Sequence, residues 1–236
     1  AIHNEITSGN YNKVVWFFLH SDGLGYGDLP KGLLKFHQYQ QDARTPIEEH
    51  MVEGAEYCRT KDKVSIHFTV SPEHQENFED LVASVRQDYK KQFNCRFEIS
   101  YSRQKPSTDT VAVDPDNKPF RLDDGTILFR PGGHGSLIEN LNELDADLIF
   151  IKNIDNVLHD NFKADTYLYK KALGGILLYY QKRIFDYLRQ LTSMSGTSDV
   201  LIEEIGAFVQ NELFIHPKDE FQPQTKSQQI AYLINR

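Results

Sequence analysis

Strand-like and helix-like segments alternate along the first hundred residues, and this order constrains the fold more than any other feature of the sequence. Residues 64–70 and 97–101 alternate apolar and polar side chains, as strands with one buried face do. Residues 13–19 form an apolar run that suits either a buried strand or a short buried helix. Residues 45–58 and 71–93 lie between these segments and have helical patterns. The order predicts an α/β fold with a mostly parallel sheet flanked by helices.

Both helical segments begin with N-terminal signals. Thr45 precedes a proline and is followed three residues later by Glu48, which matches a capping box with proline at the first helical position. Ser71 precedes a proline in the same way at the start of the second helix. We interpret Glu48 and Glu49 as a cap or a solvated face, and His50 as an ordinary helix residue.

The middle of the chain contains short strands and turns. Residues 106–130 hold three short β-type runs separated by the turns DPDN and DDG, which predict a hairpin excursion. Residues 131–135 (PGGHG) form a glycine-rich loop, and residues 136–144 a short helix. Residues 147–151 (DLIFI) are the most strand-like run of the chain and predict a buried strand of the main sheet. A shorter strand is expected at residues 33–37.

The pattern changes again near residue 163. After this point apolar residues recur at helical spacing, and few strand signals remain. We therefore expect two parts: an α/β domain over residues 1–163 and a helical extension over residues 164–236 that packs on it.

Charge and hydropathy exclude some classes of partner. The chain has 26 Lys and Arg against 34 Asp and Glu, a net charge of -8, which disfavours nucleic acid and anionic lipid. Its longest apolar run, residues 14–19, is far below the ~18 residues that span a bilayer. The two cysteines, Cys58 and Cys95, lie far apart and form no CxxC motif. These features predict a cytoplasmic protein.

Three short segments carry residue types that suit phosphate chemistry. Residues 131–135 place glycines at a strand-to-helix turn, where backbone amides can approach a ligand closely. Asp155 follows residues 147–151, and a carboxylate at the carboxyl end of a strand can hold Mg²⁺ against phosphate oxygens. Lys31 lies in a glycine-rich loop and offers a point charge for phosphate. Together they predict a site for phosphoryl or nucleotidyl transfer.

Each of these segments also has an ordinary structural interpretation. The glycines suit a tight turn, Asp155 suits a cap or an Asx turn, and Lys31 suits a solvated surface charge. The order in which all three occur favours the functional interpretation. A hydrolase is disfavoured because the nucleophile motif GxSxG is absent, and the histidines lack metal-binding spacing.

The segments LPKGLL (29–34), PGGHGSL (131–137) and FIKNIDN (150–156) resemble the sequence hallmarks of the UDP-sugar pyrophosphorylases. These are uridylyltransferases with a Rossmann-related, GT-A-like nucleotidyltransferase fold. Over nearly its full length the chain is more similar still to an uncharacterised bacterial family related to these enzymes. The resemblance implies an enzyme that forms a nucleotide-sugar and pyrophosphate from a nucleoside triphosphate and a sugar 1-phosphate.

The same resemblance implies roles for individual residues. Asp155 would hold Mg²⁺ and Lys31 would neutralise phosphate, so these two are the expected catalytic residues. The glycine-rich loop would border the nucleoside, and a glutamine near the end of the strand at residues 97–101 would face the nucleobase. The expected nucleotide-binding residues are Gln104, Gly132, Gly133, His134 and Gly135.

The chain departs from these enzymes near its beginning. They carry a glycine-rich loop with an arginine, of the form GxGTR, that grips the triphosphate, and no such motif occurs here. Residues 23–27 (GLGYG) are the nearest substitute and contain no arginine. Because relatives in the uncharacterised family extend further at both ends, we expect the chain to be truncated. The alternatives to an active enzyme are a non-catalytic nucleotide-binding or nucleotide-sugar-binding module and an inactive fragment of a longer enzyme.

Overall fold

A computed structural model describes residues 2–193, 197–216 and 225–235. Helices, including short 3-10 turns, take up 53% of these residues. The α-helices are α1 (Ile2–Thr7), α2 (Tyr11–Leu19), α3 (Pro46–Tyr57), α4 (Gln75–Phe93), α5 (Ile138–Asn142), α6 (Lys163–Leu191), α7 (Asp199–Asn211) and α8 (Lys226–Ile234). The strands are β1 (His37–Gln38), β2 (Ala43–Arg44), β3 (Arg59–Thr60), β4 (Lys63–Thr69), β5 (Arg96–Ser102), β6 (Thr110–Val111) and β7 (Phe129–Arg130).

The chain divides into two compact units, residues 1–169 and residues 170–236, and α6 contributes to both. The second unit contains α7, α8 and the rest of α6. Its core includes Ile205 and Phe208 of α7, with the Arg183 guanidinium 4.3 Å from the centroid of the Phe208 ring. Within the described ranges, no helix is both long and apolar enough to cross a membrane.

The core of the first unit lies between α3, α4 and one face of a small sheet. In this sheet β4 and β5 run parallel, with Val64 opposite Phe97, and β3 pairs antiparallel to β4 at the edge. Val64 and Phe97 are 0% and 1% exposed and pack with Ile47 and Met51 of α3. The chain passes from β4 through α4 to β5, which is the helix crossover that parallel strands require.

Local sequence signals correctly predicted the elements of this core. At the start of α3 the Thr45 amide donates to Oε2 of Glu48 at 2.8 Å, and the Glu48 amide donates to Oγ1 of Thr45 at 3.4 Å. This confirms the capping box, and the two strands at residues 64–70 and 97–101 are confirmed as β4 and β5. The helix expected from residue 71 begins as a 3-10 turn, Pro72–His74, and continues as α4.

The hairpin excursion predicted over residues 106–130 is also present. β6 pairs antiparallel with β7, and isolated bridges join Val113 to Pro119 and Arg121 to Ile127. The main chain therefore doubles back twice before it enters the glycine-rich loop at residues 131–135.

The prediction of a mostly parallel, Rossmann-related, GT-A-like sheet is wrong. Among the described residues the sheets have two or three strands, and β4 with β5 is the single parallel pair. Residues 13–19 lie in α2, so the helix alternative is correct for them, but α2 has no buried residue. Of residues 33–37 only His37 belongs to a strand. Residues 147–151, the strongest strand prediction, have no regular secondary structure.

The failed strands share a physical cause. A short apolar run suits a helix as well as a strand, and a strand exists only where a neighbour supplies hydrogen-bond partners. Residues 147–151 pair with no strand in the described part of the chain, and Ile149 and Ile151 are 37% and 69% exposed. The run of apolar residues therefore does not mark a buried sheet position.

Candidate functional site

Lys31 begins a 3-10 turn whose next residue, Gly32, is buried. A Cβ atom at Gly32 would lie 2.8 Å from the Phe78 ring of α4 and 3.2 Å from the Ile154 side chain. Glycine therefore lets this turn approach α4 and residue 154 more closely than a side chain would allow. The close approach brings Lys31 next to Asp155.

Lys31 and Asp155 form a surface ion pair. The Nζ of Lys31 donates to Oδ2 of Asp155 at 2.7 Å, and the two side chains are 70% and 39% exposed. The hydrogen bond from Lys31 lowers the pKa of the Asp155 carboxyl, which is ionised at neutral pH. Because water surrounds the pair, it contributes little stability, and an incoming phosphate or cation can replace either partner at little cost.

The pair lies on the side of the sheet where β4 ends. The Nε2 of His50 donates to the carbonyl oxygen of Ile154 at 3.0 Å. The His50 ring packs edge-on against Phe68, the next-to-last residue of β4, with 6.2 Å between the ring centroids. Burial lowers the pKa of His50, so the imidazole is neutral at pH 7. These contacts place Asp155 near the carboxyl end of β4, the kind of edge where open α/β sheets bind ligands.

Three glutamates of α3 are buried: Glu48, Glu49 and Glu53. Glu48 belongs to the capping box, as one interpretation predicted, while the solvated interpretation of Glu49 is wrong. Glu49 and Glu53 are each 0% exposed. Glu53 accepts a hydrogen bond from the Nζ of Lys152 at 2.5 Å, and Glu49 accepts one from Lys163. The signal was present in the sequence, because α3 carries apolar residues around most of its circumference. A helix buried on all sides must pair its glutamates with cations.

The glycine-rich loop lies beside the segment that follows β5. A Cβ at Gly132 would lie 3.1 Å from the Thr108 carbonyl oxygen and 2.9 Å from Oγ of Ser136. Gly133 and Gly135 instead have open space where a side chain would project. Among the residues that the structure describes, the amides of Gly132 and Gly133 donate no hydrogen bond.

Gln104 and the helix after the loop both lie at the end of β5. The Nε2 of Gln104 donates to Oδ1 of Asp109 at 3.0 Å. Asn140 of α5 is buried, and its Nδ2 donates to Oγ of Ser102 and to the Arg103 carbonyl oxygen at 2.9 and 2.8 Å. Ser102 is the last residue of β5. These contacts place α5, and with it the loop that precedes α5, near the carboxyl end of β5.

The structure thus gathers the predicted site residues into two groups. Lys31 and Asp155 contact each other near the end of β4, while Gln104 and residues 132–135 lie near the end of β5. No hydrogen bond, ion pair or ring contact between described residues joins one group to the other. The two strands are parallel neighbours, so both groups lie at the same edge of the sheet. His134 is exposed at the start of a 3-10 turn.

The residues present fit a magnesium ion that is shared with a substrate. Within the described parts of the chain, no group of three or more His, Cys, Asp or Glu side chains could hold a metal ion by itself. Mg²⁺ commonly binds one or two carboxylates and completes its octahedron with water and substrate phosphates. Asp155 is ionised and exposed, and only its Oδ2 is held by Lys31, so it can serve as that single carboxylate.

The other glycine-rich loop, residues 23–27, cannot serve as a triphosphate grip in this conformation. Each of its five amides donates to a carbonyl oxygen of residues 17–20, at 2.8–3.0 Å. These carbonyls lie at the end of α2, and Gly25 adopts the left-handed φ of +65° that such helix ends favour. The loop is therefore a helix cap, and its backbone donors are already used.

Comparisons with known proteins add one result to this geometry. No curated protein sequence and no solved structure is significantly similar to the chain. The family described as "Domain of unknown function (DUF4301)" matches residues 1–236. The chain therefore belongs to the DUF4301 family.

Proposed function

We propose that this chain binds a nucleotide with Mg²⁺ and takes part in nucleotidyl transfer to a sugar 1-phosphate. The observation that carries the proposal is the 2.7 Å contact between Lys31 and Asp155, which are 124 residues apart in sequence. Lys31 was expected to be the cation that contacts phosphate, and Asp155 the carboxylate that holds the metal ion. The pair is exposed near the end of β4. The proposal also rests on the resemblance of three segments to the UDP-sugar pyrophosphorylases.

When the ligand binds, Lys31 and Asp155 separate and each binds a new group of opposite charge. The Lys31 ammonium donates to a phosphate oxygen of the nucleotide instead of to Asp155. The released Asp155 carboxylate would hold Mg²⁺, which supplies charge neutralisation between the phosphates. The two new interactions together replace one exposed ion pair, so little free energy is lost in the exchange.

The nucleoside would lie against residues 132–135. The amides of Gly132 and Gly133 can donate to its polar atoms, and the open space beside Gly133 and Gly135 leaves room for it. The Gln104 amide would face the nucleobase. In the reaction, a sugar-phosphate oxygen attacks the α-phosphorus, the bond to the bridging oxygen breaks, and pyrophosphate leaves. Because the attacking oxygen is already anionic, no general base is needed.

A second candidate is a module that binds a nucleotide or nucleotide-sugar without turnover. The capping role of residues 23–27 favours it, because those amides are not available to grip a triphosphate. The lack of free amides at residues 23–27 also suits the other alternative, an inactive fragment of a longer enzyme. We also propose a cytoplasmic location, supported by the two widely separated cysteines.

The experiment measures pyrophosphate release from UTP and from other nucleoside triphosphates, with Mg²⁺ and a panel of sugar 1-phosphates. Release that is lost in Asp155→Ala supports the transferase. Saturable nucleotide binding without pyrophosphate supports the binding module. A wild-type chain that neither binds nucleotide nor releases pyrophosphate contradicts both.

A further inference from the structure

We propose that helix α3 positions the candidate metal carboxylate, with His50 and Glu53 as positioning residues that hold residues 152–156 in place. This inference rests on the proposed function for what Asp155 does, but the positioning itself concerns only the ligand-free chain. Neither residue is expected to contact a nucleotide.

The first anchor is the hydrogen bond from Nε2 of His50 to the Ile154 carbonyl oxygen, at 3.0 Å. The acceptor is a carbonyl, so the Nε2 atom must carry the proton. Ile154 directly precedes Asp155, and its side chain would lie 3.2 Å from a Cβ placed at Gly32, the residue after Lys31. The bond therefore fixes the backbone directly before the carboxylate, beside the turn that carries Lys31.

The second anchor is the buried pair of Glu53 and Lys152. Their side chains are 0% and 10% exposed, and the Nζ of Lys152 donates to Oε2 of Glu53 at 2.5 Å. The Tyr57 hydroxyl donates to the same oxygen at 3.1 Å. Glu53 and His50 lie three residues apart on α3, so one face of the helix holds residues 152 and 154 together.

The two anchors determine the position of residues 152–156, because this segment is not part of the sheet. Residues 147–156 pair with no strand in the described part of the chain, so no ladder sets their register. The turn itself has one backbone bond, from the Asn156 amide to the Asn153 carbonyl oxygen at 3.1 Å. A buried ion pair also stabilises a fold no better than apolar packing does. The pair of Glu53 and Lys152 instead fixes the direction in which residues 152–156 run.

The test compares His50→Phe with His50→Gln in the full chain. Phenylalanine keeps a ring against Phe68 but has no donor, while glutamine keeps an N–H donor at a similar reach. We expect His50→Phe to speed hydrogen exchange of the Asn156 amide about tenfold, the equivalent of one lost hydrogen bond, and His50→Gln to restore most of the protection. Amides of β4 and β5 should keep their wild-type exchange rates.

The double variant Glu53→Leu with Lys152→Met provides a second route that leaves no buried charge alone. Its fold is expected to persist, as judged by circular dichroism and thermal unfolding, while exchange at Asn156 increases. This variant decides the question if His50→Phe does not fold.

Binding of UTP with Mg²⁺ then shows whether the effect passes through the carboxylate. His50→Phe should weaken binding in the wild-type chain but have no effect in an Asp155→Asn background. If the wild-type chain binds no nucleotide, the proposed function fails, and the exchange rates alone decide the positioning claim. Unchanged exchange at Asn156 in both anchor variants overturns it. So does an equal loss of binding with and without the Asp155 carboxylate.

Discussion

The two groups of the candidate site are held in different ways. The phosphate half, Lys31 and Asp155, is an ion pair, and the segment that carries Asp155 is fixed by buried charges on α3. The nucleoside half, Gln104 and residues 132–135, is held by the hydrogen bonds of Asn140, by exposed ion pairs of Lys105 with Glu139 and Glu143, and by a close backbone approach at Gly132. Because these ion pairs are exposed while the charges on α3 are buried, loss of a charge should affect the first half more, and added bulk at the loop should affect the second.

The largest effect is expected from Lys31→Met. Loss of a charged hydrogen bond to phosphate costs about 1.5–3 kcal/mol, so affinity for UTP with Mg²⁺ should fall at least about tenfold in a calorimetric titration. Binding of uridine, which has no phosphate, should not change. Lys90→Met removes an exposed lysine from the far end of α4 and provides the matched control. Equal losses in both variants would remove Lys31 from the site.

Gly32→Ala is expected to affect stability most. The added Cβ would meet the Phe78 ring at 2.8 Å and Ile154 at 3.2 Å, so the turn must move away from α4. Overpacking of this kind costs about 1–3 kcal/mol of unfolding free energy, and the Lys31–Asp155 contact should be lost with it. Gly206→Ala in α7 adds the same methyl group to open space. It should leave the melting temperature unchanged or raise it, and a comparable loss there would refute the packing argument.

Alanine at both Gly133 and Gly135 should change binding without changing stability. Both positions face open space, and the φ of -73° at Gly133 suits alanine, so unfolding free energy should stay within about 0.5 kcal/mol. Nucleotide affinity should fall roughly three- to tenfold, the equivalent of one backbone hydrogen bond. Binding of inorganic pyrophosphate should not change, since it needs only the phosphate half. Unaltered UTP affinity in this variant would argue against a nucleoside at the loop.

The smallest expected effect is on the stability of the fold at low pH, through Asp160. Burial alone would raise the pKa of Asp160, but hydrogen bonds and charge from Lys163 and Arg44 outweigh it and lower that pKa. A carboxyl with a lowered pKa stabilises the fold above its ordinary pKa of about 4, and this stability is lost as the pH falls further. Because Asp160 is partly exposed, the contribution should be below about 1 kcal/mol. Asp160→Asn should therefore unfold more easily than wild type at pH 7, with the difference shrinking towards pH 3 in denaturant titrations.

Elements with signals of their own could be predicted from the sequence. The capping box at Thr45 and Glu48 fixed the start of α3, and alternating side chains identified β4 and β5. The strand predicted at residues 147–151 failed because its pattern says nothing about whether a neighbouring strand exists. A sheet is a property of several segments together, so the extended parallel sheet could not be inferred from runs of this kind.

The candidate site was predictable to a similar degree. Two glycine-rich loops looked alike in sequence, but residues 23–27 cap α2, while the amides of Gly132 and Gly133 remain unused in the described part of the chain. What separates them is the adjacent helix end, which consumes backbone donors. The approach of Lys31 to Asp155 could be expected only as a hypothesis, since it depends on a glycine at position 32 packing against α4.

The most direct test of the account is the Mg²⁺ dependence of UTP binding to the full chain. We predict that the affinity of the wild type rises with Mg²⁺, that Lys31→Met binds more weakly but keeps this dependence, and that Asp155→Asn loses it. Asp145→Asn, at an exposed carboxylate outside the site, should behave as the wild type. Wild-type binding that ignores Mg²⁺, or a dependence that survives in Asp155→Asn, would contradict the assignment of Asp155 as the metal carboxylate.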